Sequence, residues 1–400
     1  MHPPPLSSDK QTTRAHDKRI RMKIEDKNIG WIDALRVAAC FVVVFAHCCD
    51  PFVAQFDANR GMFLTGVFMG SLTRPCVPIF VMMTAVLLLP VGQGTTIGAF
   101  YSKRIGRLIR PLIFWSLALP LLTYAYFVYV NPHTANMQLS VSDYTRETLL
   151  GRLYTFIFNF NFDTTPLWYL YMLIGLYLIM PIISSWLKQA SRKEIKTLLG
   201  VWIGTLFIPY LNMLAPLLGY KGNYGNMGLF GVCDWNIYGS FYYLSGFIGY
   251  IILAYYLKTY PPEWSTKKMV AISLPMFLAG YAITSLGYIK TNEYFPGNYA
   301  YLEILWYFCS VNVFMMTLPV FLLFQRLATK SRPWLAGMAK LTFGIYLCHF
   351  VFTFVSYDIF DTPTLPYALR IVLAATLTFS ISTTLVWAMS KSKITRIFIS

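Results

Sequence analysis

Apolar runs of about 20 residues recur along the whole chain, and this repetition constrains the fold more than any other feature. Each run is long enough to cross a hydrocarbon layer about 30 Å thick as an α-helix, because a helix rises about 1.5 Å per residue. With 56% hydrophobic and only 12% charged residues over 400 positions, the chain has too few polar residues to cover a water-soluble globule. The sequence therefore predicts an all-α, polytopic membrane protein.

Hydropathy predicts about ten transmembrane helices, which places both termini on the same side of the membrane. The first apolar run carries Asp33 and Arg36 and follows a long basic segment, which is not the pattern of a cleavable signal peptide. Residues 1–30 are polar and basic, so we expect a flexible tail ahead of a membrane-embedded domain at residues 31–396. The predicted spans are approximately 33–53, 62–89, 111–130, 167–187, 197–217, 236–257, 269–288, 301–325, 336–356 and 366–390.

The distribution of the basic residues explains the net charge of +16. Most Lys and Arg lie in the N-terminal segment and in the predicted loops on its side of the membrane. Because cytoplasmic loops are enriched in Lys and Arg, both termini are predicted to be cytoplasmic. The charge then indicates contact with an anionic lipid bilayer, and the absence of a nucleic-acid motif argues against a nucleic-acid partner. The opposite side carries only Arg60, Arg146, Arg152, Lys221 and Lys290.

The seven cysteines show no paired C-x-x-C spacing that would indicate a metal site. Most lie inside predicted spans, so we expect small buried apolar residues and no metal. Cys233 and Cys49 are nearest to the predicted outer surface, where an oxidising compartment can pair cysteines, but a disulfide between them is not favoured.

Polar residues inside the spans are the candidates for chemistry, since no loop is long enough for a soluble catalytic domain. Arg36 and His47 are 11 residues apart, close to three helical turns, so they share one helix face about 16 Å apart along the axis. Both side chains should face protein or a water-filled cavity. They can form a functional site there, or they can have structural roles, in which Arg36 lies beside Asp33 and His47 forms a hydrogen bond to a neighbouring helix. Asp50 can orient His47, although Pro51 favours the end of the helix there.

The second span contains Arg74-Pro75-Cys76-Val77-Pro78. Each proline removes a backbone donor and frees a carbonyl four residues earlier. Irregular backbone at membrane depth is tolerated only inside protein or beside a cavity. We therefore expect Arg74 to face the protein interior, near the depth of His47.

Together these segments resemble the acyltransferase 3 family of membrane proteins, over approximately residues 31–390. The order and spacing of the segments are more specific than any one of them, and the pair Arg36 and His47 is the most specific part. The segments that carry the resemblance are Asp33-x-Leu-Arg36 with His47, Arg74-Pro-x-Val-Pro-x-Phe80, Lys103-Arg104-x-x-Arg107, Pro166-Leu-Trp168 and Phe343-Gly-Ile-Tyr346-Leu-Cys-His349.

The resemblance implies a membrane-bound O-acyltransferase of the bacterial cytoplasmic (inner) membrane. Such an enzyme transfers an acyl group, usually acetyl, from cytoplasmic acyl-coenzyme A to a hydroxyl of a cell-surface glycan or lipid-linked saccharide. Acetyl-CoA is then a donor substrate, and no permanently bound cofactor is expected.

The same resemblance and the physical properties of the side chains suggest their roles. His47 is assigned as the general base on the acceptor hydroxyl, with a covalent acyl-histidine as the alternative. Arg74 is assigned to stabilise the developing oxyanion or to orient the donor carbonyl. The residues assigned to hold the phosphates of acetyl-CoA are Arg36, Arg104, Arg107 and Arg110.

Other interpretations stay open for several of these residues. The arginines at 104, 107 and 110 also fit ordinary anchoring of a cytoplasmic loop. Three tryptophans can stack on a sugar, although an interfacial aromatic belt is favoured; they are Trp168, Trp235 and Trp306. Three further polar residues are predicted to serve helix packing or the membrane interface in preference to catalysis; they are Glu303, His349 and Arg370.

Two rival functions share some of these features. A transporter or flippase of a lipid-linked glycan also needs basic and aromatic residues around a cavity, and an assembly subunit would use His47 and Arg74 only to hold helices together. The combination of Arg36, His47 and Arg74 favours the acyltransferase. The acceptor, the acyl chain length and the oligomeric state do not follow from the sequence.

Overall fold

The computed structural model describes residues 8–219, 228–233, 236–328 and 332–400, with the backbone alone for 8–29. Within these ranges the regular structure is helical apart from one isolated bridge between Cys233 and Asn236. Ten helical segments are long and apolar enough to cross a membrane, which confirms the all-α polytopic prediction. They are Gly30–Val53, Arg60–Leu88, Ile97–Val130, Arg146–Leu187, Arg192–Leu218, Gly239–Thr259, Thr266–Tyr294, Tyr299–Leu327, Thr342–Phe360 and Tyr367–Lys391.

The α-helices within these segments and beside them are numbered in chain order. They are α1 (Ser8–Val53), α2 (Arg60–Ser71), α3 (Cys76–Leu88), α4 (Ile97–Ala125), α5 (Arg146–Thr155), α6 (Trp168–Leu187), α7 (Arg192–Thr205), α8 (Ile208–Leu214), α9 (Ile248–Thr259), α10 (Thr266–Tyr294), α11 (Tyr299–Trp306), α12 (Val311–Leu327), α13 (Pro333–Ala339), α14 (Thr342–Phe360), α15 (Tyr367–Lys391) and α16 (Lys393–Arg396).

Some helix ends differ from the hydropathy prediction, because helices continue past the apolar run. The third span starts at Ile97, where the Thr96 side chain caps the helix by accepting from Ala99 N. Arg104 and Arg107 therefore lie on α4, not in the loop where the sequence placed them. Helix α1 likewise begins at Ser8, so the backbone of the expected tail is helical from there.

The ninth span also starts later than predicted, at Thr342. The residues just ahead of it form the separate short helix α13, which begins with Pro333. Proline is favoured at the first position of a helix because its missing N–H would be unpaired there.

Helix α1 is the centre of the bundle, since it packs against α2, α3, α12, α13, α14 and α15. Small side chains permit this close packing. Cys40 Sγ lies 3.4 Å from the Thr342 carbonyl oxygen on α14, and Cys48 Sγ lies 3.8 Å from Thr378 Oγ1 on α15. All seven cysteines are buried and unpaired, as their positions predicted.

The alternation of ten spans places both ends of the membrane domain on one side. We name this the termini side, and the opposite side the far side. Helices α1 and α14 both run from the termini side to the far side. Their parallel course brings Cys40 beside Thr342 and, two turns further on, His47 beside His349.

Helix α2 lies in close contact with the end of α1 at Gly66. A Cβ atom there would lie 2.7 Å from Val53 N and 2.8 Å from Phe52 Cβ. Only glycine fits at such a distance, because the neighbouring atoms include backbone that cannot turn away. Since α2 leads directly to Arg74, Gly66 sets the separation between the helix of His47 and Arg74.

We expect Gly66→Ala to lower the melting temperature of the detergent-solubilised protein by about 3 °C or more, because overpacking destabilises a helix contact. Differential scanning fluorimetry measures this change. The matched control is Gly175→Ala on α6, where a Cβ would meet nothing within 4 Å and alanine raises helix propensity. Equal melting temperatures for the two variants would contradict the close approach.

Candidate active site

A cavity of about 440 Å³, the far-side cavity, contains the two predicted catalytic residues, His47 and Arg74. Its volume is within the range of small-molecule sites. The other polar side chains around it are Asp50, Gln138, Thr165 and Glu303. Its aromatic side chains are Phe56, Trp168, Tyr288, Tyr299, Trp306, Phe308 and Tyr346. Rings interspersed with carboxylate and amide groups form a surface of the kind that suits a polyhydroxylated ligand.

His47 is oriented by Asp50. His47 Nδ1 lies 2.9 Å from Asp50 Oδ2, and because a carboxylate only accepts, Nδ1 carries the hydrogen. The lone pair of the neutral ring is then on Nε2, as a general base requires. Helix α1 ends at Val53, two residues after Pro51 and at the predicted end of the first span, so Asp50 still lies one helical turn from His47.

Arg74 lies in the break between α2 and α3, as the two prolines predicted. Its guanidinium carbon is 4.5 Å from the centre of the Trp306 ring and 5.3 Å from that of the Phe308 ring. Trp306 is fixed in turn, since its Nε1 donates to Ser71 Oγ at 3.3 Å. A half-buried contact of this kind contributes about 1 kcal/mol.

No carboxylate among the described residues forms an ion pair with Arg74. Across the same ranges, its buried Nε has no hydrogen-bond partner. A guanidinium in this state can stabilise a negative charge that develops on a ligand in the far-side cavity.

A second cavity of about 350 Å³, the termini-side cavity, has a different lining. Its basic side chains are Arg36, Arg104, Arg107 and Lys340. The Arg36 Nη1 atom is 3.9 Å from Asp33 Oδ1, which is a long ion pair, and the buried Arg104 Nε has no partner among the described residues. Four cations around one cavity form a site for a phosphorylated ligand.

Two residues differ from the predicted phosphate-binding set. Arg110 is exposed and does not line the termini-side cavity, so its role stays a prediction. Lys340 lines the cavity but was not a candidate. Its position just ahead of the ninth span was a signal only of cytoplasmic anchoring.

Tyr346 stands between the two cavities, and of the described residues it alone lines both. Its hydroxyl donates to the carbonyl oxygen of Pro166. The Tyr169 ring is 5.5 Å away and the Phe80 ring 6.4 Å away, measured between centres. The sequence showed Tyr346 only as part of a family segment, and packing reveals that it separates the cavities.

The chain segment that carries Pro166 is held by a buried ion pair. Arg152 Nη1 lies 2.5 Å from Asp163 Oδ2, and the Tyr144 hydroxyl donates to Asp163 Oδ1 at 2.9 Å. Asp163 is fully buried, so these bonds replace its lost hydration. Helix α5 supplies Arg152 to this ion pair.

The remaining candidates occupy different environments. Trp168 and Trp306 line the far-side cavity, whereas Trp235 lies outside the described residues. Glu303 lines the same cavity and is exposed. An exposed carboxylate does not fit the predicted role in helix packing.

Arg370 is held by its neighbours, as a packing role predicts. Its Nη1 donates to Asp361 Oδ1 and its Nε to the Leu365 carbonyl, each at 2.9 Å. His349 is fully buried, with its ring centre 5.3 Å from that of His47.

Comparison with known proteins agrees with this geometry. The profile of a family described as an acyltransferase domain matches residues 29–387, which include all ten spans except the last few residues of the tenth. No curated protein and no solved structure matches the chain. The chain therefore belongs to the acyltransferase 3 family, and it is a membrane-spanning acyltransferase.

Proposed function

We propose that this acyltransferase transfers an acetyl group from cytoplasmic acetyl-CoA to a hydroxyl of a cell-surface glycan or lipid-linked saccharide in a bacterial cytoplasmic membrane. The observation that carries the proposal is the arrangement of two unlike cavities on either side of Tyr346. One is cationic and the other is aromatic and polar. A transporter needs one continuous path for one ligand, whereas a transferase needs two sites that meet at the reacting atoms.

The termini-side cavity is the proposed donor site. The termini side carries most of the Lys and Arg of the chain and therefore faces the cytoplasm, where acetyl-CoA is available. Arg36, Arg104, Arg107 and Lys340 bind the phosphates, and the pantetheine arm extends past Tyr346 toward His47. Arg110 lies outside the cavity on the same helix and attracts the anionic donor at longer range.

The far-side cavity is the proposed acceptor site. The half-buried Trp168 can contact a sugar with its ring, while Asp50 and Glu303 offer carboxylate oxygens that accept from sugar hydroxyls. This cavity also contains His47, so an acceptor hydroxyl bound here meets the base directly.

The reaction balances with the residues present. His47 Nε2 removes the proton of the acceptor hydroxyl as its oxygen attacks the thioester carbonyl, and Arg74 stabilises the resulting oxyanion. The C–S bond then breaks, an O-acetyl ester remains on the acceptor, and His47 returns the proton to the sulfur of coenzyme A. Asp50 stays ionised and holds the ring throughout.

We expect membrane vesicles with the wild-type protein to transfer radiolabelled acetyl from acetyl-CoA to membrane glycan, and vesicles with His47→Ala to lose at least about 99% of this transfer. The control is His133→Ala, an exposed histidine on the far side. Normal labelling by an inserted His47→Ala would remove His47 from the mechanism. If wild type never labels with several donors and acceptors, the transporter function is favoured instead.

Arg107→Ala is expected to raise the KM for acetyl-CoA about tenfold with little change in kcat, because it removes a charge-assisted contact made equally before and during the reaction. Initial rates over a range of acetyl-CoA concentrations measure both constants. Lys193→Ala, which removes an exposed cation on the same side, serves as the control. A KM that rises equally in both variants indicates a general charge effect and refutes phosphate binding at Arg107.

Asp50→Ala is expected to lower kcat at least about tenfold, because His47 Nδ1 loses the acceptor that fixes its hydrogen. Asp50→Asn should retain more activity, since its amide oxygen still accepts from Nδ1–H. The control is Asp57→Ala, an exposed carboxylate outside the cavity. Equal kcat values for Asp50→Ala and wild type rule out orientation by Asp50.

A further inference from the structure

The short helix α11 lines the far-side cavity with Tyr299, Glu303 and Trp306. Residues three and four apart lie on one face of a helix, so these side chains follow one another along the cavity wall. Their exposure falls along the helix, since Tyr299 is 63% exposed, Glu303 is exposed and Trp306 is only 7% exposed. The span that begins with Tyr299 enters the membrane from the far side. Glu303 therefore lies toward the entrance of the cavity, and Trp306 lies at its inner end.

The carboxylate of Glu303 differs from that of Asp50, the other acidic group of the cavity. Asp50 is bonded to His47 at 2.9 Å, whereas Glu303 takes part in none of the ion pairs of the described ranges. Because Glu303 is exposed, its carboxylate keeps its hydration and its negative charge. Its oxygens are thus available to a ligand that enters the cavity.

The charges around the far-side cavity do not balance. Two carboxylates and one guanidinium line it, so with a neutral His47 the lining carries a net negative charge. The guanidinium is that of Arg74, which lies against the ring of Trp306 at the inner end. An entering ligand consequently meets the negative charge of Glu303 before the positive charge of Arg74.

Other cations of the far side do not offset this charge. Of the described residues that line the cavity, Arg74 is the only one that is permanently cationic. Four further cations lie outside the cavity, each bonded to a carboxylate of its own surroundings at 2.5–2.9 Å; they are Arg60, Arg152, Lys290 and Arg370.

We propose that Glu303 determines acceptor specificity: it accepts hydrogen bonds from the hydroxyls of an uncharged sugar at the cavity entrance and excludes a sugar that carries a carboxylate or phosphate. A sugar hydroxyl replaces water as the donor to the carboxylate, whereas an anionic sugar brings two like charges together where the dielectric constant is reduced. Repulsion of the wrong ligand is a common source of specificity. The inference rests on the proposed function of this cavity as the acceptor site.

The test measures kcat/KM for two hexasaccharides, with the whole chain in lipid nanodiscs and radiolabelled acetyl-CoA. The neutral one contains only N-acetylglucosamine, and the anionic one is hyaluronan, in which glucuronate alternates with N-acetylglucosamine. Wild type should favour the neutral hexasaccharide about fivefold or more at low ionic strength, and added salt should reduce this ratio by screening the repulsion. If neither is acetylated, the ratio is taken from their inhibition of transfer to membrane glycan. Equal values, or a preference for hyaluronan as binding by Arg74 would produce, overturn the proposal.

Variants of Glu303 assign the effect to this side chain. Glu303→Gln removes the charge and keeps an oxygen that accepts, so kcat/KM for hyaluronan should rise about fivefold. Glu303→Asp retains the charge and should keep the preference of wild type. A purely structural role would lower the values for both hexasaccharides by one factor, and the unchanged ratio would refute the role of Glu303. The control is Glu147→Gln, the same change at an exposed far-side carboxylate outside the cavity, which should leave the ratio unchanged.

Failure of the proposed function has a different signature. Wild type would then transfer acetyl to neither hexasaccharide nor membrane glycan. Transfer by wild type with the same ratio in Glu303→Gln refutes the specificity role alone and leaves the acyl transfer reaction in place.

Discussion

A charged or strongly polar side chain within the hydrocarbon layer must be surrounded by protein or by a cavity, and the rest of this structure depends on that constraint. Arg36, His47 and Asp50 all lie on α1. A helix carrying them on one face and packed on its other faces has to occupy the centre of the bundle. The six helices around α1 meet this requirement, and small residues such as Cys40 and Gly66 let them approach closely.

The same constraint explains why the chain accepts a broken helix at Arg74. The break leaves backbone groups outside the regular helical pattern, at a depth where water is absent from the lipid side. Turn bonds satisfy some of them, including Thr73 N to the Gly70 carbonyl at 3.1 Å. Because Arg74 lies in this break and not within a helix, its guanidinium packs against the Trp306 ring. A continuous helix would have directed Arg74 along its own groove instead.

The sequence predicts what depends on period and polarity, and misses what depends on packing between distant segments. Ten spans and the shared face of Arg36 and His47 follow from helical periodicity. The contact of Arg74 with Trp306 does not, because it requires the placement of α11. The sequence analysis assigned Arg110 and Arg104 together to phosphate binding, because they belong to the same basic cluster. Arg110 is six helical residues from Arg104, so its side chain points about 120° away, which explains why Arg104 lines the cavity and Arg110 does not.

The boundary between the two cavities also matters for the proposed reaction. In the proposed reaction, acetyl-CoA and a glycan arrive from opposite sides of the membrane, and a wide opening between their sites would admit water to the thioester. Tyr346 lies between the two cavities with its hydroxyl bonded to Pro166, and the segment of Pro166 is held in place because Arg152 and Tyr144 bind the buried Asp163. A salt bridge on the far side thus fixes the partition at the centre of the bundle. Because Tyr346 and His349 are one turn apart on α14, the helix that lies between the two cavities also places a buried ring beside His47.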